Sequence, residues 1–335
     1  MKAAVLQEQE QMACTEHPNP QPGTGEVVIR VRSCGICGTD QHIYHGHPGS
    51  AEVHTPIVLG HELAGVVVAV SDDVDTLAAG DRVTVDPNIY CGSCEYCRSG
   101  KLHLCDRLQA IGVTRDGGMA ELCTVPAANC YRIPDRMSFE EAALIEPLGC
   151  VLHGFRKLAI GPRDHILIIG GGFIGQIFLQ LVRASGASRI TVSEPAAFKH
   201  DRLRELGADE VLSPLDPDAA GKFASGADIV IECVGRKDSV EMAVGAARKG
   251  SQILLFGVAS PDTEIHIRPY DVFAKELRIM GSFINPFTHL EAIALVSQGR
   301  ISLEPLISHR FTLEELPQAM RDYPNLGVSK GIVNL

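Results

Sequence analysis

No stretch of this 335-residue chain runs apolar for the roughly 18 residues that a membrane span requires. No internal repeat and no low-complexity tail is present. Basic charge is also scarce: 30 Lys and Arg stand against 41 Asp and Glu, a net charge of −11. That balance argues against nucleic acid or an anionic membrane as the main partner. The opening residues, MKAAVLQEQEQ, do not read as a secretory signal, so a reducing, cytoplasmic setting is expected. The remaining composition is that of a soluble globular enzyme, with 45% hydrophobic and 21% charged residues. The length is enough for two domains with separate cores.

Against that background four cysteines stand out. Cys91, Cys94, Cys97 and Cys105 form the run Cys-x2-Cys-x2-Cys-x7-Cys. Four thiolates on one short, polar loop suit the closed tetrahedral shell of a structural zinc, with Zn–S near ~2.3 Å. The rival reading is a disulfide cluster, which a reducing compartment disfavours. Cys14, Cys34, Cys123, Cys130, Cys150 and Cys233 are scattered singly and are expected to be small buried hydrophobes.

Two textures divide the chain. Up to about residue 150, short alternating strands at 26–31, 65–70 and 81–85 are punctuated by Gly23, Gly25, Gly80 and Pro87. This predicts an irregular, mostly antiparallel β domain. From residue 165 strands alternate with helical segments. The continuous apolar run at 165–169 has the character of a parallel strand covered on both faces. Further strands are expected at 189–194, 228–233, 251–257 and 277–283, with helices through 184, through 206 and near 239–247. This rhythm implies a doubly wound parallel sheet. A helix at 289–297 and a short tail are too small to fold alone and are expected to rejoin the first domain.

Between the strand at 165–169 and its helix, Gly170, Gly172 and Gly175 spell Gly-x-Gly-x-x-Gly. The first glycine permits the tight turn, the second lets backbone approach a pyrophosphate, and the third lets helix and strand pack closely. The helix N-terminus then receives the phosphates. Glu194 ends the next strand, where an acid accepts hydrogen bonds from the adenosine ribose. A carboxylate there repels a 2′-phosphate and points to NAD over NADP. Lys199 and Arg202 follow on the next helix and pull the other way, unless they form a solvated helix face.

A second set of donors is dispersed. Cys37 lies in CGICGTD, His61 and Glu62 in GHE, and Glu146 in IEPLG. Singly, His61 reads as a hydrogen-bonded core histidine and Glu62 as a surface acid. Together they offer a thiolate, an imidazole and two carboxylates, and a catalytic zinc uses such a set while keeping an open position.

CGICGTD at 34–40, GHELAG at 60–65, GDRV at 80–83, the four-cysteine loop, EPLG at 146–149 and GGGFIG at 170–175 occur in this order. With them the chain resembles the zinc-dependent medium-chain dehydrogenases, in the sorbitol, polyol and threonine dehydrogenase branch, over nearly its whole length. The resemblance implies an α/β fold. Its parts are a GroES-like catalytic domain (1–150, completed by 285–335) and a Rossmann domain (151–284), with the active site in the cleft between them. It implies that Cys37, His61 and Glu62 hold the catalytic zinc and that Glu146 binds the zinc or its water. Cys150 falls where simple alcohol dehydrogenases place a ligand, so that alternative stays open, with EPLG favouring Glu146.

The resemblance also makes Thr39 and His42 a proton relay; without it His42 is a polar loop residue. It extends the cofactor set to Phe173, Ile174, Lys199, Val234, Gly257, Val258 and Phe283. His45, His47 and His54 are expected on a loop or pocket rim. Ser71 stands where the GHE signature has glycine or alanine, a tolerable change. Ile284 stands where sorbitol dehydrogenases carry an arginine, which directs attention to other polyols such as a pentitol or galactitol.

The expected function is hydride transfer from the secondary alcohol of a polyol or similar small alcohol to NAD, with one catalytic and one structural zinc per subunit. A threonine-type amino-alcohol dehydrogenase is the alternative. A non-catalytic binding or structural protein on the same fold is a remote one, because such relatives lose the catalytic-zinc ligands. The edge strand at 277–283 invites pairing with a second copy, so a homotetramer or homodimer is expected.

Overall fold

The computed structural model of the chain describes residues 1–224 and 226–335. It divides into two compact units, Met1–Gly149 with Asn285–Leu335, and Cys150–Ile284.

The strand Glu26–Ile36 is the hub of the first unit. Along it Ile29, Val31 and Ser33 are buried while Arg30 and Arg32 are exposed, the period of two that puts one face on a core. It pairs antiparallel with Glu62–Val70, Leu122–Pro126 and Gly331–Asn334. Arg82–Val85 and Cys130–Arg132 extend the sheet on one side, and His309–Thr312 extends it on the other. A smaller sheet joins Gln11–Glu16, Lys2–Glu8 and Ile57–Val58. Leu6, Ile29, Leu63, Val67, Val85 and Met119 lie in the shared core.

The segment after the helix His289–Ser297 is more than a short tail. It carries two strands and the helix Leu316–Asp322. Its strands His309–Thr312 and Gly331–Asn334 run parallel to each other, the exception in a sheet otherwise antiparallel. The hairpin Lys2–Glu8/Gln11–Glu16 also escapes the sequence pattern, because Ala3, Ala4, Val5 and Leu6 are all buried and no alternation shows.

The second unit is a six-stranded parallel sheet in the order Glu210–Leu212, Arg189–Ser193, His165–Ile169, Ala227–Glu232, Ala247–Leu255, Arg278–Gly281. In chain order this is 3-2-1-4-5-6, the doubly wound arrangement with its reversal beside the first strand. The strand Glu210–Leu212 is only three residues long, too short for a periodicity to register. Helix Phe173–Ala184 is buried around most of its circumference, Phe173, Ile177, Phe178, Leu179, Leu181 and Val182 among its covered residues. The edge strand Arg278–Gly281 is shorter than the sequence pattern suggests and leaves Arg278, Ile279 and Gly281 exposed. Among the described residues no helix is long and apolar enough to cross a membrane.

Candidate metal and cofactor sites

The loop 91–105 draws its four sulfurs within 4.8 Å of one another. Cys94 caps the short helix Glu95–Arg98, and its sulfur accepts the Cys97 N–H. Backbone N–H groups of Cys94 and Arg107 point at the sulfurs of Cys91 and Cys105, each at 3.4 Å. The Cys91 and Cys97 sulfurs stand 4.0 Å apart. A tetrahedral shell with Zn–S of ~2.3 Å sets its sulfurs about 3.8 Å apart, whereas a disulfide needs ~2.05 Å. All eleven cysteines are free thiols, so the donor geometry fits a metal and not a disulfide cluster. Backbone N–H groups of Ser93 and Cys94 hold the Cys91 thiol down to about 5. Desolvation and its sulfur neighbours push Cys97 up to about 12. Without a cation the cluster therefore keeps protons that a metal would displace.

The second group gathers Cys37, His61 and Glu62, with one donor atom from each within 4.8 Å of the others. Sheet register explains it. Gly35 pairs with Glu62 across neighbouring strands, and Cys37 follows directly as the N-cap of helix Gly38–Tyr44. A Cβ on Gly35 would fall 1.9 Å from the Glu62 carboxylate, so only glycine fits there. Asp40 is fully buried. One of its oxygens accepts the Cys37 N–H at 2.8 Å, and the other faces His61 Nδ1 at 3.4 Å. Burial opposes a charged His61, but Asp40 and Cys37 outweigh it and raise the imidazole well above its ordinary value. The pocket thus attracts positive charge, as a cation site must. Lys330, itself buried, donates to Glu62 at 2.7 Å and to the Ile36 carbonyl at 3.0 Å. Burial works against its charge, and Glu62 with Cys37 raises its pKa nonetheless.

Glu146 is placed differently. It lies buried in the first turn of helix Ile145–Phe155, outside the three-donor group, and accepts from Asn285 Nδ2 at 3.1 Å. Cys150 is half-buried further along the same helix. Thr39 and His42 both lie on helix Gly38–Tyr44 and are half-buried. Burial, then His47 and His45, lowers the His42 pKa. His45 contacts Glu10 at 2.8 Å, while His47 and His54 are exposed. Of the scattered cysteines Cys34 and Cys123 are buried, whereas Cys14, Cys130, Cys150 and Cys233 are only partly covered.

Sequence reasoning missed Asp40, Lys330 and Asn285 as participants. Asp40 had a signal, since it stands three residues after Cys37 in a capping-box spacing. Lys330 and Asn285 had none.

In the second unit, Gly170 has φ +99° and Gly172 caps helix Phe173–Ala184. A Cβ on Gly175 would sit 1.9 Å from the Gly170 carbonyl, the close helix–strand approach that reserves this place for glycine. Ile174 follows Phe173 in the first turn. Glu194 is buried at the end of the second strand. Its oxygens accept from the N–H groups of Gly171 at 3.0 Å and Ala196 at 2.9 Å, and Lys199 Nζ lies 3.7 Å away. Val234, Gly257 with Val258, and Phe283 follow the fourth, fifth and sixth strands of the unit. All these positions lie beyond the carboxyl ends of parallel strands, where doubly wound sheets bind ligands. The residues fit a dinucleotide.

Residues 23–135 match the alcohol dehydrogenase GroES-like domain, and residues 174–298 match the zinc-binding dehydrogenase model. The chain belongs to the zinc-dependent medium-chain dehydrogenases, in their polyol branch. It is 33% identical to an L-idonate 5-dehydrogenase of Vitis vinifera, over 88% of this chain and 83% of that one. It is also 33% identical to sorbitol dehydrogenase of Homo sapiens, over 92% and 88%. A solved zinc-binding dehydrogenase of Sinorhizobium meliloti 1021, bound to NADP, superposes with TM-score 0.95 at 36% identity, covering 100% of this chain and 99% of that one. Membership accounts for the GroES-like β-rich unit and the Rossmann unit in one chain.

Proposed function

We propose that this chain is a zinc-dependent polyol dehydrogenase that transfers hydride from a secondary alcohol to NAD. The observation that carries the reading is the convergence of Cys37, His61 and Glu62 on one point, with buried Asp40 and Lys330 behind them. Cys37, His61 and Glu62 would hold the metal, with Glu146 completing its surroundings in preference to Cys150. When bound, zinc supplies Lewis acidity toward the substrate oxygen, and the nicotinamide accepts the hydride.

The chain's own residues supply the rest. Thr39 passes the hydroxyl proton toward His42, whose lowered pKa keeps its ring neutral and ready to accept it at neutral pH. The alcohol loses one proton and one hydride and becomes a ketone. Asp40 orients the His61 ring, and Lys330 balances the Glu62 carboxylate. The turn Gly170–Gly175 takes the pyrophosphate, Phe173 and Ile174 line its helix, and Val234, Gly257, Val258 and Phe283 border the nicotinamide end.

Glu194 supports NAD as the preferred cofactor. Its carboxylate is pinned by two backbone N–H groups and cannot swing away from a 2′-phosphate. Lys199 softens that repulsion, and the Sinorhizobium neighbour holds NADP. Cys91, Cys94, Cys97 and Cys105 would bind the second, structural zinc. A cytoplasmic homodimer or homotetramer, paired through the edge strand Arg278–Gly281, completes the proposal. Ile284 supports a substrate other than sorbitol.

The test is a panel of pentitols, galactitol, sorbitol, idonate and threonine, each run with NAD and with NADP, on protein of measured zinc content. Turnover of a polyol with NAD at two zinc ions per chain is expected. Turnover of threonine alone would move the chain to the amino-alcohol dehydrogenases, and absence of all turnover at full zinc loading would overturn the proposal.

A further inference from the structure

We infer that Asn285 is the positioning residue for Glu146, and that Asn88 and Asp86 behind it fix which way its amide faces. The inference rests on the reading of Glu146 as part of the metal's surroundings and adds how this chain holds it there.

The four side chains form one buried line. Asn285 is fully buried, and Asp86, Asn88 and Glu146 are 6%, 3% and 5% exposed. Asn88 Nδ2 donates to Asp86 Oδ1 at 2.9 Å and to Asn285 Oδ1 at 2.6 Å. Asn285 Nδ2 then donates to Glu146 Oε1 at 3.1 Å. The polarity of this line has one solution. Asp86 Oδ1 already accepts the Asn88 backbone N–H at 3.0 Å, so it faces Asn88 as an acceptor and Asn88 turns its NH₂ group toward it. Both Asn88 amide hydrogens are then committed, one to Asp86 and one to Asn285, so Asn285 must present its oxygen to Asn88. Its NH₂ is left facing Glu146. Flipping Asn285 would set NH₂ against NH₂ on one side and oxygen against oxygen on the other. In a buried place such mismatches cost far more than in water. Glu146 is therefore held by a donor that cannot rotate away, the kind of outer support that orients ligands around a metal.

Two further features of the backbone serve this arrangement. Ile284, directly before Asn285, has φ +45°. A β-branched residue is strained there, and strain of this kind persists where the surroundings impose it. The Asn285 carbonyl is fixed in turn by the Thr288 hydroxyl at 2.9 Å. A Cβ on Gly149 would fall 2.7 Å from the Thr288 hydroxyl and 3.3 Å from Asn285 Cβ. The glycine of EPLG is thus the space into which the Asn285 turn packs.

The experiment uses the purified full chain, Zn²⁺ with a competing chelator, and the visible spectrum of the Co²⁺-substituted protein. Retention of the zinc at Cys91–Cys105 and an unchanged circular dichroism spectrum report folding. Asn285→Asp, which keeps the volume but turns an oxygen toward Glu146, is expected to weaken the second zinc about 10–100-fold and to alter the Co²⁺ bands. Adding Glu146→Gln reverses the polarity of the pair. The double variant is expected to regain thermal stability lost in Asn285→Asp while its second zinc stays weak. Glu146→Gln alone separates the two readings. If it leaves the second zinc and the Co²⁺ bands unchanged, the role given to Glu146 falls. If it weakens that zinc but Asn285→Asp does not, the role of Glu146 stands and the inference about Asn285 falls. Should Asn285→Asp fail to fold, Asn88→Leu, which frees the Asn285 amide to flip, carries the same expectations.

Discussion

At 91–105 four thiols meet because one short loop folds back on itself. At Cys37, His61 and Glu62 three donors meet because two strands pair in register and a helix starts where one of them ends. The first cluster is local and lies near the surface, its helix Glu95–Arg98 burying no residue, and its outer supports are backbone N–H groups. The second is buried, mixes donor types, and leans on two buried side chains, Asp40 from the helix that Cys37 opens and Lys330 from far along the chain. A local all-sulfur site depends on little beyond its own loop and suits bracing. A site assembled from distant segments inherits the precision of the whole sheet and suits chemistry, at the risk that any one of many residues can spoil it.

Cys37→Ser tests that contrast most severely. We expect turnover to fall by a factor on the order of 10³ or more, about 4 kcal/mol in the barrier, with loss of one zinc and retention of the other. Loss of both ions would erase the distinction between the sites. Lys330→Met comes next. In protein stripped of the second metal it leaves Glu62 as a buried carboxylate without its counter-charge, and breaking such a pair costs about 3–5 kcal/mol. Denaturant unfolding should show a loss of that size, while the Cys91–Cys105 zinc remains bound to the native protein.

His42→Ala should slow alcohol oxidation by about 10²-fold, the usual worth of a positioned base. The sign of its pH dependence follows from the lowered pKa. The proton-accepting form is the neutral ring, so activity is present above the folded pKa and lost as pH falls through it, below the ordinary histidine value of ~6.5. The variant should lack that acid limb. Cys97→Ser should have the smallest effect on chemistry. Turnover per folded molecule should change less than about twofold, while the melting temperature drops, each kcal/mol lost being worth about 2–4 °C in a domain of this size.

The contrast between the two clusters was partly legible in the sequence. The four-cysteine loop, the Gly170–Gly175 turn and the strand–helix alternation of the second unit were legible because each is written in consecutive residues. Cys37, His61 and Glu62 could be named from their motifs, but their meeting depends on the pairing of Gly35 with Glu62, and no local pattern encodes that. Lys330 and Asn285 were invisible. Their partners lie 268 and 139 residues away, and an isolated lysine or asparagine carries no spacing to interpret. The hairpin at Lys2–Glu8 was missed because both of its faces are covered there, which removes the alternation that marks a strand.

The pairing of Lys330 with Glu62 also has a timetable. At roughly 5–20 residues per second of synthesis, the 268 residues between them delay the lysine by roughly 10–50 s after the glutamate leaves the ribosome. Folding of a hairpin takes microseconds, so the strand Glu62–Val70 can meet Glu26–Ile36 long before Lys330 exists. Burying the carboxylate in that interval is penalised, because its ammonium partner is not yet there to receive it. That end of the sheet is therefore expected to stay open to water until the strand Gly331–Asn334 docks. Late arrival of one lysine is thereby expected to time the consolidation of this corner of the molecule, which pulse-labelled hydrogen exchange during refolding would follow.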